Sequence, residues 1–309
     1  PTAMPHRLYP PYLCPMPQKT IAHILLLAVA FIYGANYVWA KEVMPNPIAP
    51  NAFIVMRAGG ASLLFWIFLK KYWILPQRDD LVRLFLCGMT GVTINQLCFF
   101  NGLSLTAPLH AAIIMILTPV IVTSFSIIAL KQRTSTMQWW GIGIGLLGAL
   151  GFIAYGKANP MAGASALGDL FILINAISYS IYLIMVKPLM AKYHPLSIIP
   201  WVFTFGLLGV LPFGWSELST HVNWSLNTTQ WAIVGFVIIG VTFLTYLFNI
   251  IAIQKLSPTH AGVYIYLQPP IAAGFSVLAG IPFSDLFSFW KIVFTIFIVF
   301  GVVLVGWKK

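Results

Sequence analysis

The chain carries little charge and very little negative charge. Only 7% of its 309 residues are Asp, Glu, Lys or Arg, and six of those are acidic. A soluble domain carries about 25% charged residues, so this composition excludes most enzymes that depend on an aqueous globular domain. All acidic residues fall in predicted links or at segment edges, which disfavours a proton pump built on a buried carboxylate. They are Glu42, Asp79, Asp80, Asp169, Glu217 and Asp285.

Several motifs are also missing, and each absence removes a class of function. The three cysteines suggest no disulfide framework, and the sequence contains no Walker A motif to bind ATP. No His/Cys cluster or paired Asp motif supplies metal ligands, so we predict neither a metal nor a cofactor. No cluster of Lys and Arg lies in mid-membrane, which argues against dianionic phosphate substrates.

Apolar sequence is what the chain has in excess. Hydrophobic residues make up 60% of it, far more than one soluble core needs. A helix of about 20 residues crosses the ~30 Å hydrocarbon layer, and the apolar stretches lack the alternation of barrel strands. We therefore predict an all-α integral membrane protein with ten transmembrane helices. These segments 1 to 10 are predicted at 21–40, 50–69, 83–103, 108–129, 137–156, 168–186, 196–215, 231–253, 258–281 and 288–307.

The positive charges predict the orientation in the membrane. Net charge is +11, but Lys and Arg are distributed unevenly between the links. Only Lys41, Lys157 and Lys291 fall in links that would lie outside, and Arg57 is the one strong charge deep within a segment. The positive-inside rule then places both termini in the cytoplasm and indicates a lipid bilayer, not nucleic acid, as the partner of this charge. Residues 1–19, rich in proline, are predicted to form a disordered cytoplasmic tail.

The two halves of the chain are copies of one another. Residues 108–129 align without gaps to 258–279 at an offset of 150, and residues 27–44 align to 173–190 at an offset of 146. The first pair shares prolines and a histidine in register, which a common apolar composition does not produce. Five segments in each copy is an odd number, so the halves must insert in opposite orientations. We predict two inverted-topology five-helix repeats, at 20–157 and 158–309.

Polar residues recur along one face of four segments. Their helical spacing places each set in one stripe on an otherwise apolar helix. The stripes comprise Tyr33, Asn36 and Tyr37; Asn175, Ser178, Tyr179 and Tyr182; Thr242, Thr245, Tyr246 and Asn249; and His260, Tyr264 and Gln268. Two interpretations are open: a shared aromatic-lined substrate cavity, which we favour, and hydrogen bonding between helices without a ligand. The predicted substrate-binding residues are Tyr33, Asn36, Arg57, Asn175, Tyr179, Tyr182, Tyr246, Asn249, Tyr264 and Gln268.

The buried arginine and the repeated histidines and prolines each allow a functional role. Arg57 would bind a substrate carboxylate, or it would be a structural arginine bonded to helix-end carbonyls, which its few polar neighbours favour. His110 and His260 would gate a proton-linked cycle, or they would cap and pack helix starts, which is the simpler role. Pro119 and Pro269 lie near mid-segment, where proline frees a carbonyl and bends the helix, so we predict gating bends there.

Five stretches of the sequence are together typical of one family. They are YGANYVWAK (33–41), MRAGG (56–60), FFNGLSLTAP…LTPV (99–120), LGDLFILINAISYSIYLIMVK (167–187) and FNIIAIQKLSPTHAGVYIYLQPP (248–270). In combination they resemble the EamA family of the drug/metabolite transporter superfamily. The resemblance implies two five-helix halves, a central cavity, and alternating access that exports amino acids, other small metabolites or drugs without ATP. Arg57 matches the arginine usual in the second segment, whereas Gln132 and Ile281 stand where an acidic residue is common.

The sequence therefore predicts a non-enzymatic, alternating-access exporter of small metabolites such as amino acids in a bacterial cytoplasmic (inner) membrane. A nucleotide-sugar or organophosphate carrier of the same superfamily is the nearest alternative, but it requires several Lys or Arg in the cavity. A membrane-embedded lipid enzyme requires clustered Asp, His or Cys at one membrane face, and a receptor gains no support from duplicated halves. No pattern in the sequence specifies an oligomeric state.

Overall fold

Most of the chain is helical in the computed structural model. The described residues are 18–130, 135–158, 165–220, 222, 224–255, 264–282, 286 and 288–306. The first helix begins at Gln18, so residues 18 and 19 belong to segment 1 and not to the predicted tail, whose residues 1–17 lie outside the described part. Within the described ranges the only β pairing is an isolated bridge between Ile48 and Val222.

Every predicted segment contains helix near its predicted position. A helix satisfies its backbone hydrogen bonds internally, which the hydrocarbon layer requires of any spanning segment. The α-helices run over Gln18–Val43 (segment 1), Pro50–Phe68 (2), Arg78–Gly88 and Ile94–Leu105 (3), Pro108–Met115 and Thr118–Leu130 (4), Thr136–Ala158 (5), Ala166–Lys192 (6), Pro195–Thr220 (7), Thr228–Gly235 and Thr245–Lys255 (8), Gln268–Leu278 (9) and Phe289–Gly306 (10).

The length and composition of these helices agree with an integral membrane protein. Among the described residues, eight helices, in segments 1 to 8, are long and apolar enough to cross a membrane. The apolar helix of segment 10, Phe289–Leu304, is shorter, and segment 9 is described only from Tyr264 onward. The all-helical membrane class is therefore confirmed, while the count of ten spans stays a prediction.

Segments 3 and 8 are interrupted by π-helix at corresponding places. The π-helical stretches are Met89–Thr93 and Phe236–Leu244, and a shift by the repeat offset of 150 puts the first inside the second. A π-helical turn changes the direction in which the following side chains point, and such turns occur frequently at functional sites. Thr242 lies in the second stretch and Gln96 follows shortly after the first, and both contribute to the candidate site described below.

The predicted bend at Pro119 coincides with a break in the α-helix of segment 4, and Pro269 lies in the first turn of the α-helix described in segment 9. Segment 4 breaks between Met115 and Thr118, just before Pro119, which has no N–H to offer the Met115 carbonyl. The Thr118 hydroxyl donates to that carbonyl instead, at 2.7 Å. In segment 9 a short 3-10 turn, Tyr264–Leu267, precedes the α-helix that contains Pro269. Whether these bends act as gates stays a prediction.

The segments pack in two groups of three that correspond to one another under the repeat. Segment 6 packs against segments 3 and 4, and segment 1 packs against segments 8 and 9. We name these group 3-4-6 and group 1-8-9; each contains the first segment of the opposite half. The remaining segments pair as 2 with 7 and 5 with 10. Such reciprocal packing is expected of an inverted repeat, which supports that prediction without testing the orientation of the halves.

The glycines of segment 5 pack against segment 10 of the same chain. A Cβ added at Gly301 would lie 2.5 Å from the backbone nitrogen of Gly145, and one added at Gly148 would lie 2.9 Å from the nitrogen of Ile298. Small residues allow this close approach of two helices in lipid. The glycine-rich face of segment 5 therefore has a packing partner within the chain.

Glu217 of segment 7 caps the start of segment 2. Its carboxylate accepts hydrogen bonds from the backbone N–H groups of Asn51 (3.0 Å) and Ala52 (3.3 Å) and from Asn51 Nδ2 (2.7 Å). Ala49, at the N-cap position, makes no side-chain cap bond. Glu217 therefore supplies the acceptor that the first turn lacks, and its negative charge complements the positive end of the helix dipole.

We expect Glu217→Ala to reduce the stability of the detergent-solubilised protein by about 1–3 kcal/mol, because charge-assisted bonds to the helix start are lost. Thermal unfolding followed by tryptophan fluorescence measures the change. Ser219→Ala removes an exposed hydroxyl from the same helix and serves as the matched control, with an expected effect within about 0.5 kcal/mol. Identical melting curves for the two variants would contradict the capping role.

Candidate functional site

Arg57 is the buried charge around which the candidate site is built. The residue is only 5% exposed. Its Nε donates to Thr242 Oγ1 at 2.5 Å, and its Nη1 donates to Gln96 Oε1. The guanidinium also lies 4.9 Å from the centre of the Phe100 ring, a favourable cation–π contact. The hydrogen bonds of Arg57 in the described part of the chain go to side chains, and none goes there to the helix-end carbonyls that the structural interpretation expected.

The positive charge of Arg57 has no carboxylate partner among the described residues. The ion pairs found there join His110 to Asp169 and Lys192 to Asp80. A guanidinium carries five N–H donors, and the contacts with Thr242 and Gln96 occupy two of them. A buried cation without an anion is costly, so the unused donors of Arg57 form a natural binding place for an anionic group.

Arg57 connects the two helix groups. Gln96 belongs to group 3-4-6 and Thr242 to group 1-8-9, so the two hydrogen bonds join segment 2 to both groups. On the side of group 3-4-6 the network continues, because Gln96 Nε2 donates to Asn95 Oδ1 at 2.8 Å. Asn175 Nδ2 in turn donates to the Asn95 carbonyl at 2.8 Å, while Asn175 Oδ1 is buried without a partner in the described part of the chain.

Four of the predicted tyrosines lie close to one another, and two of them adjoin Arg57. Tyr33 and Tyr246 interact electrostatically with Arg57, and Tyr246 also interacts with Tyr179 and Tyr182. The rings of Tyr179 and Tyr182 have centroids 5.9 Å apart, and the Tyr33 hydroxyl accepts a hydrogen bond from Thr245, at 3.1 Å. Tyr33, Tyr179 and Tyr246 are only half-buried although they lie inside the bundle. We name Tyr33, Tyr179, Tyr182 and Tyr246 the tyrosine cluster; two belong to each helix group.

An apolar wall adjoins the tyrosine cluster. The Tyr246 ring packs edge-on against Phe203, at 5.0 Å between centroids, and lies 6.3 Å from Phe65. Phe65 and Phe203 are fully buried and come from segments 2 and 7. Aromatic pairs in this geometry add stability beyond the burial of their area. The candidate site therefore combines one cation, tyrosine hydroxyls and an apolar aromatic surface.

Other predicted site residues are placed elsewhere in group 1-8-9. The Tyr37 hydroxyl donates to Gln268 Oε1 at 3.1 Å, and His23 Nδ1 lies 2.8 Å from the Tyr264 hydroxyl. Gln268 and Tyr264 are thus tied to segment 1 through their own hydrogen bonds.

The remaining predicted polar residues show no direct contact with Arg57. Asn36 is buried, and its Oδ1 has no partner among the described residues. Asn249 is half-buried. His260 lies outside the described residues, so the prediction made for it stays a prediction. The structure brings together Arg57, Asn175 and the tyrosine cluster, whereas Asn36, Asn249, Tyr264 and Gln268 form no hydrogen bond with them among the described residues.

A second polar network lies at the end of the bundle that the positive-inside rule places outside. His110 Nδ1 lies 3.2 Å from Asp169 Oδ2, and the Thr106 hydroxyl donates to Asp169 Oδ1. Lys41 Nζ donates to the Thr106 carbonyl. Asp169 and His110 are each 1% exposed. Asp169 lies at a segment edge, as predicted, but its burial was not predicted. It is buried because segments 3 and 4 pack over the start of segment 6.

Sequence reasoning missed six residues of these two networks: Lys41, Asn95, Gln96, Phe100, Thr106 and Asp169. A signal for some of them existed in the repeat. Gln96 corresponds to Tyr246 at the offset of 150, and Asp169 corresponds to His23 at the offset of 146. Lys41 corresponds to an identical residue, Lys187, at the offset of 146. For Phe100 the sequence held no comparable signal, since an aromatic residue is common in any membrane helix. Among the described residues, no group of three His, Cys, Asp or Glu side chains is placed to hold a metal ion.

Three known proteins that this chain resembles are named as transporters or exporters. The protein "Uncharacterized transporter YetK" of Bacillus subtilis (strain 168) is 23% identical over 292 residues, which cover 93% of this chain and 87% of the relative. "Uncharacterized inner membrane transporter YicL" of Salmonella typhimurium is 25% identical, covering 86% and 89%. "Pseudopaline exporter CntI" of Pseudomonas aeruginosa is 22% identical, covering 73% and 78%.

A solved structure and a family profile extend the comparison to the fold. A crystal structure of another protein superposes with a TM-score of 0.61 at 16% sequence identity, covering 92% of this chain and 96% of that one; at this identity the likeness concerns the fold alone. The profile of the EamA-like transporter family matches residues 20–154 and 166–307, one match in each half. Since these matches cover most of the chain, it belongs to the EamA-like transporter family.

Proposed function

We propose that this transporter family member is an alternating-access exporter of small carboxylate-bearing metabolites, such as amino acids, across a bacterial cytoplasmic membrane. In this proposal ten spans form two inverted repeats, both termini lie in the cytoplasm, and no cofactor takes part. The observation that carries the proposal is the buried guanidinium of Arg57, which has no carboxylate partner among the described residues.

The substrate class follows from the chemistry around Arg57. A planar guanidinium with free N–H donors matches a carboxylate in geometry and charge. The tyrosine cluster offers hydroxyl groups for polar substituents and ring faces for an apolar part. Phe65 and Phe203 extend the apolar surface beside Tyr246. A small amphiphilic acid satisfies all of these groups at once, and a purely apolar or cationic compound does not.

The position of the site supports alternating access. Arg57 bonds to one residue of each helix group, and the tyrosine cluster draws two rings from each. A substrate bound there touches both groups, so rocking of one group against the other exposes the site to alternate sides. The proline break in segment 4, the 3-10 turn before Pro269 in segment 9 and the π-helical stretches in segments 3 and 8 supply places where each group can bend.

The comparisons support transport in general and export through one relative. The family is one of transporters, and the relative from Pseudomonas aeruginosa is named an exporter. A carrier of nucleotide sugars or organophosphates would need several cations around its phosphate groups, whereas the described site contains Arg57 alone. A membrane-embedded enzyme would need a cluster of reactive groups, and the tyrosine cluster contains no nucleophile paired with a base.

Efflux from proteoliposomes tests the proposal. Vesicles loaded with a mixture of amino acids and other metabolites are sampled over time by mass spectrometry. We expect selective, protein-dependent loss of one class of carboxylate-bearing compounds. Tyr246→Ala should weaken that efflux about tenfold, because one aromatic contact of about 1–1.5 kcal/mol is lost.

Tyr72→Ala is the matched control for Tyr246→Ala. Tyr72 stacks on His194, and both residues lie just beyond the C-terminal ends of segments 2 and 6. Tyr72 is therefore outside the tyrosine cluster. We expect this variant to transport like the native protein. Equal efflux from both variants would remove Tyr246 from the site, and loss of cations but not of acids from the vesicles would contradict the proposed substrate class.

A further inference from the structure

The buried pair formed by His110 and Asp169 has an unoccupied place for one proton. An ionised carboxylate only accepts hydrogen bonds, so His110 Nδ1, at 3.2 Å from Asp169 Oδ2, must be the donor. In the neutral imidazole the other nitrogen, Nε2, is then an unprotonated acceptor. His110 Nε2 is buried and has no hydrogen-bond partner among the described residues. A proton that binds there converts the pair from one net negative charge to zero.

The charged and titratable groups around His110 come from few elements. Segment 6 contributes Asp169, and segment 1 contributes Lys41 and the exposed Glu42. The packed helices Ile94–Leu105 of segment 3 and Gln268–Leu278 of segment 9 contain no Asp, Glu, Lys, Arg or His. Segment 5 presents the Phe152 ring, 4.8 Å from the His110 ring, and carries Tyr155 one turn away; the side chain of Lys157 lies outside the described part.

Lys41 lies close to the His110–Asp169 pair and also forms a contact between the two helix groups. It is the last lysine of segment 1, in group 1-8-9, and it donates to the carbonyl of Thr106, which follows segment 3 in group 3-4-6. The hydroxyl of the same Thr106 donates to Asp169. Lys41 therefore bridges the two groups next to a negative charge, and we name this contact the Lys41 clasp. A net negative Asp169–His110 pair attracts Lys41, whereas a neutral pair does not.

We propose that His110 and Asp169 form a proton-binding site whose occupation releases the Lys41 clasp and opens this end of the transporter. The proton comes from the aqueous phase at that end and binds to His110 Nε2; only this N–H bond forms. Histidine is the side chain that ordinarily changes charge between pH 5 and 8, so opening increases as the pH falls. The link between opening and export rests on the proposed function, but the proton site itself does not.

At the opposite end, the described residue that corresponds to Asp169 in the repeat is not an acid. Under the repeat offset of 146, Asp169 corresponds to His23, and His23 is bonded to the Tyr264 hydroxyl within group 1-8-9. The described residues of that contact contain no carboxylate, so it cannot change from net negative to neutral. The proton response is therefore specific to the end closed by Lys41, and a proton gradient across the membrane biases which end opens.

Distance measurement between the two helix groups tests the proton site directly. Spin labels are placed at Asn46→Cys and Leu167→Cys, two exposed positions at this end, in a background with Cys14→Ser, Cys87→Ala and Cys98→Ala. Double electron–electron resonance is recorded in nanodiscs between pH 8 and pH 5 without substrate. We expect the short-distance population to fall at least twofold as the pH is lowered, with one midpoint.

Variants of the pair separate the proton site from general effects of pH. His110→Gln keeps a donor to Asp169 but cannot take up a proton, so its distances should not change with pH. Asp169→Asn and Lys41→Met remove the attraction, and both should show the long distance already at pH 8. His194→Gln alters an exposed histidine at the other end and should keep the native midpoint. Should one variant fail to fold, the native titration and the other variants still decide the outcome.

Two results would overturn the proposal. One is a native distance distribution that does not change between pH 8 and pH 5; the other is a native midpoint retained by His110→Gln. Efflux assays on the same preparations distinguish this inference from the proposed function. Transport of a carboxylate without pH-dependent opening removes the proton site alone, and pH-dependent opening without any transport removes the transport proposal and keeps the proton site.

Discussion

Arg57→Gln should lower the transport of carboxylate-bearing substrates by a factor of about 30 to 5,000 at low substrate concentration. The estimate follows from the 2–5 kcal/mol that is lost when one partner of a buried, hydrogen-bonded charge pair is removed. Glutamine keeps a hydrogen-bond donor for Thr242 or Gln96 but carries no charge for the substrate. Arg57→Lys keeps the charge but lacks the planar guanidinium. Its transport rate should lie between those of the native protein and Arg57→Gln, about tenfold below the native rate. Initial efflux rates from proteoliposomes measure all three.

Two controls make the Arg57 prediction specific. Arg83→Gln removes the same charge from an exposed position in segment 3 and should leave transport unchanged. The second control uses the methyl ester of the transported acid, a substrate that lacks the carboxylate charge. The native protein should transport the ester poorly, and Arg57→Gln should reduce its transport no further. If Arg57→Gln impairs acid and ester by the same factor, Arg57 supports the fold and does not bind the carboxylate.

Gly91→Leu should reduce transport at least tenfold while the protein still folds. A Cβ at position 91 would lie 2.6 Å from Cδ2 of the Tyr182 ring, closer than real Cβ contacts allow. Tyr182 is buried, so the ring must move, and the tyrosine cluster into which it is packed must rearrange. Gly91 also lies in the π-helical stretch Met89–Thr93, so the variant disturbs the place where segment 3 redirects its side chains toward Arg57. Size-exclusion profiles and efflux rates together measure the outcome.

Gly143→Leu is the matched control for this substitution. A Cβ at Gly143 meets nothing within 4 Å, and the residue is exposed on segment 5. The larger side chain should therefore contact lipid without affecting transport. Tyr182→Ala introduced together with Gly91→Leu should restore part of the lost activity, because it makes room for the leucine. Native transport by Gly91→Leu alone would show that substrate does not pass the tyrosine cluster.

Much of the helical framework could be predicted from the sequence. The helix starts at Pro50, Pro108 and Pro195 and the break before Pro119 follow from the fixed φ angle and the missing N–H of proline. The tyrosine cluster was predictable in part, since Tyr33 and Tyr179 are equivalent in the repeat and Tyr182 and Tyr246 lie on polar stripes. Such features depend on residues close together in sequence or on internal similarity, and both are visible without a structure.

The partners of Arg57 were not predictable, and neither was the burial of Asp169. Arg57 bonds to Gln96 and Thr242, which are 39 and 185 positions away in the chain. Sequence reasoning expected few polar neighbours because it considered only the face of segment 2 itself. Asp169 was placed at a segment edge, but a residue at the end of a helix is buried whenever neighbouring helices extend beyond it. Here Thr106 and His110 cover it.

The sequence by itself determined that this chain is an all-helical membrane protein of the EamA-like transporter family. Hydrophobic length, proline position and duplicated motifs are properties of short stretches, and lipid leaves a spanning chain few alternatives to helix. Only the tertiary structure decided which polar groups meet: Arg57 between two helix groups, without a carboxylate partner in the described part of the chain, and the Lys41 clasp beside His110 and Asp169. The physical reason is that the charge balance of a buried group depends on neighbours supplied by other helices, and their identity is set by packing across the whole bundle.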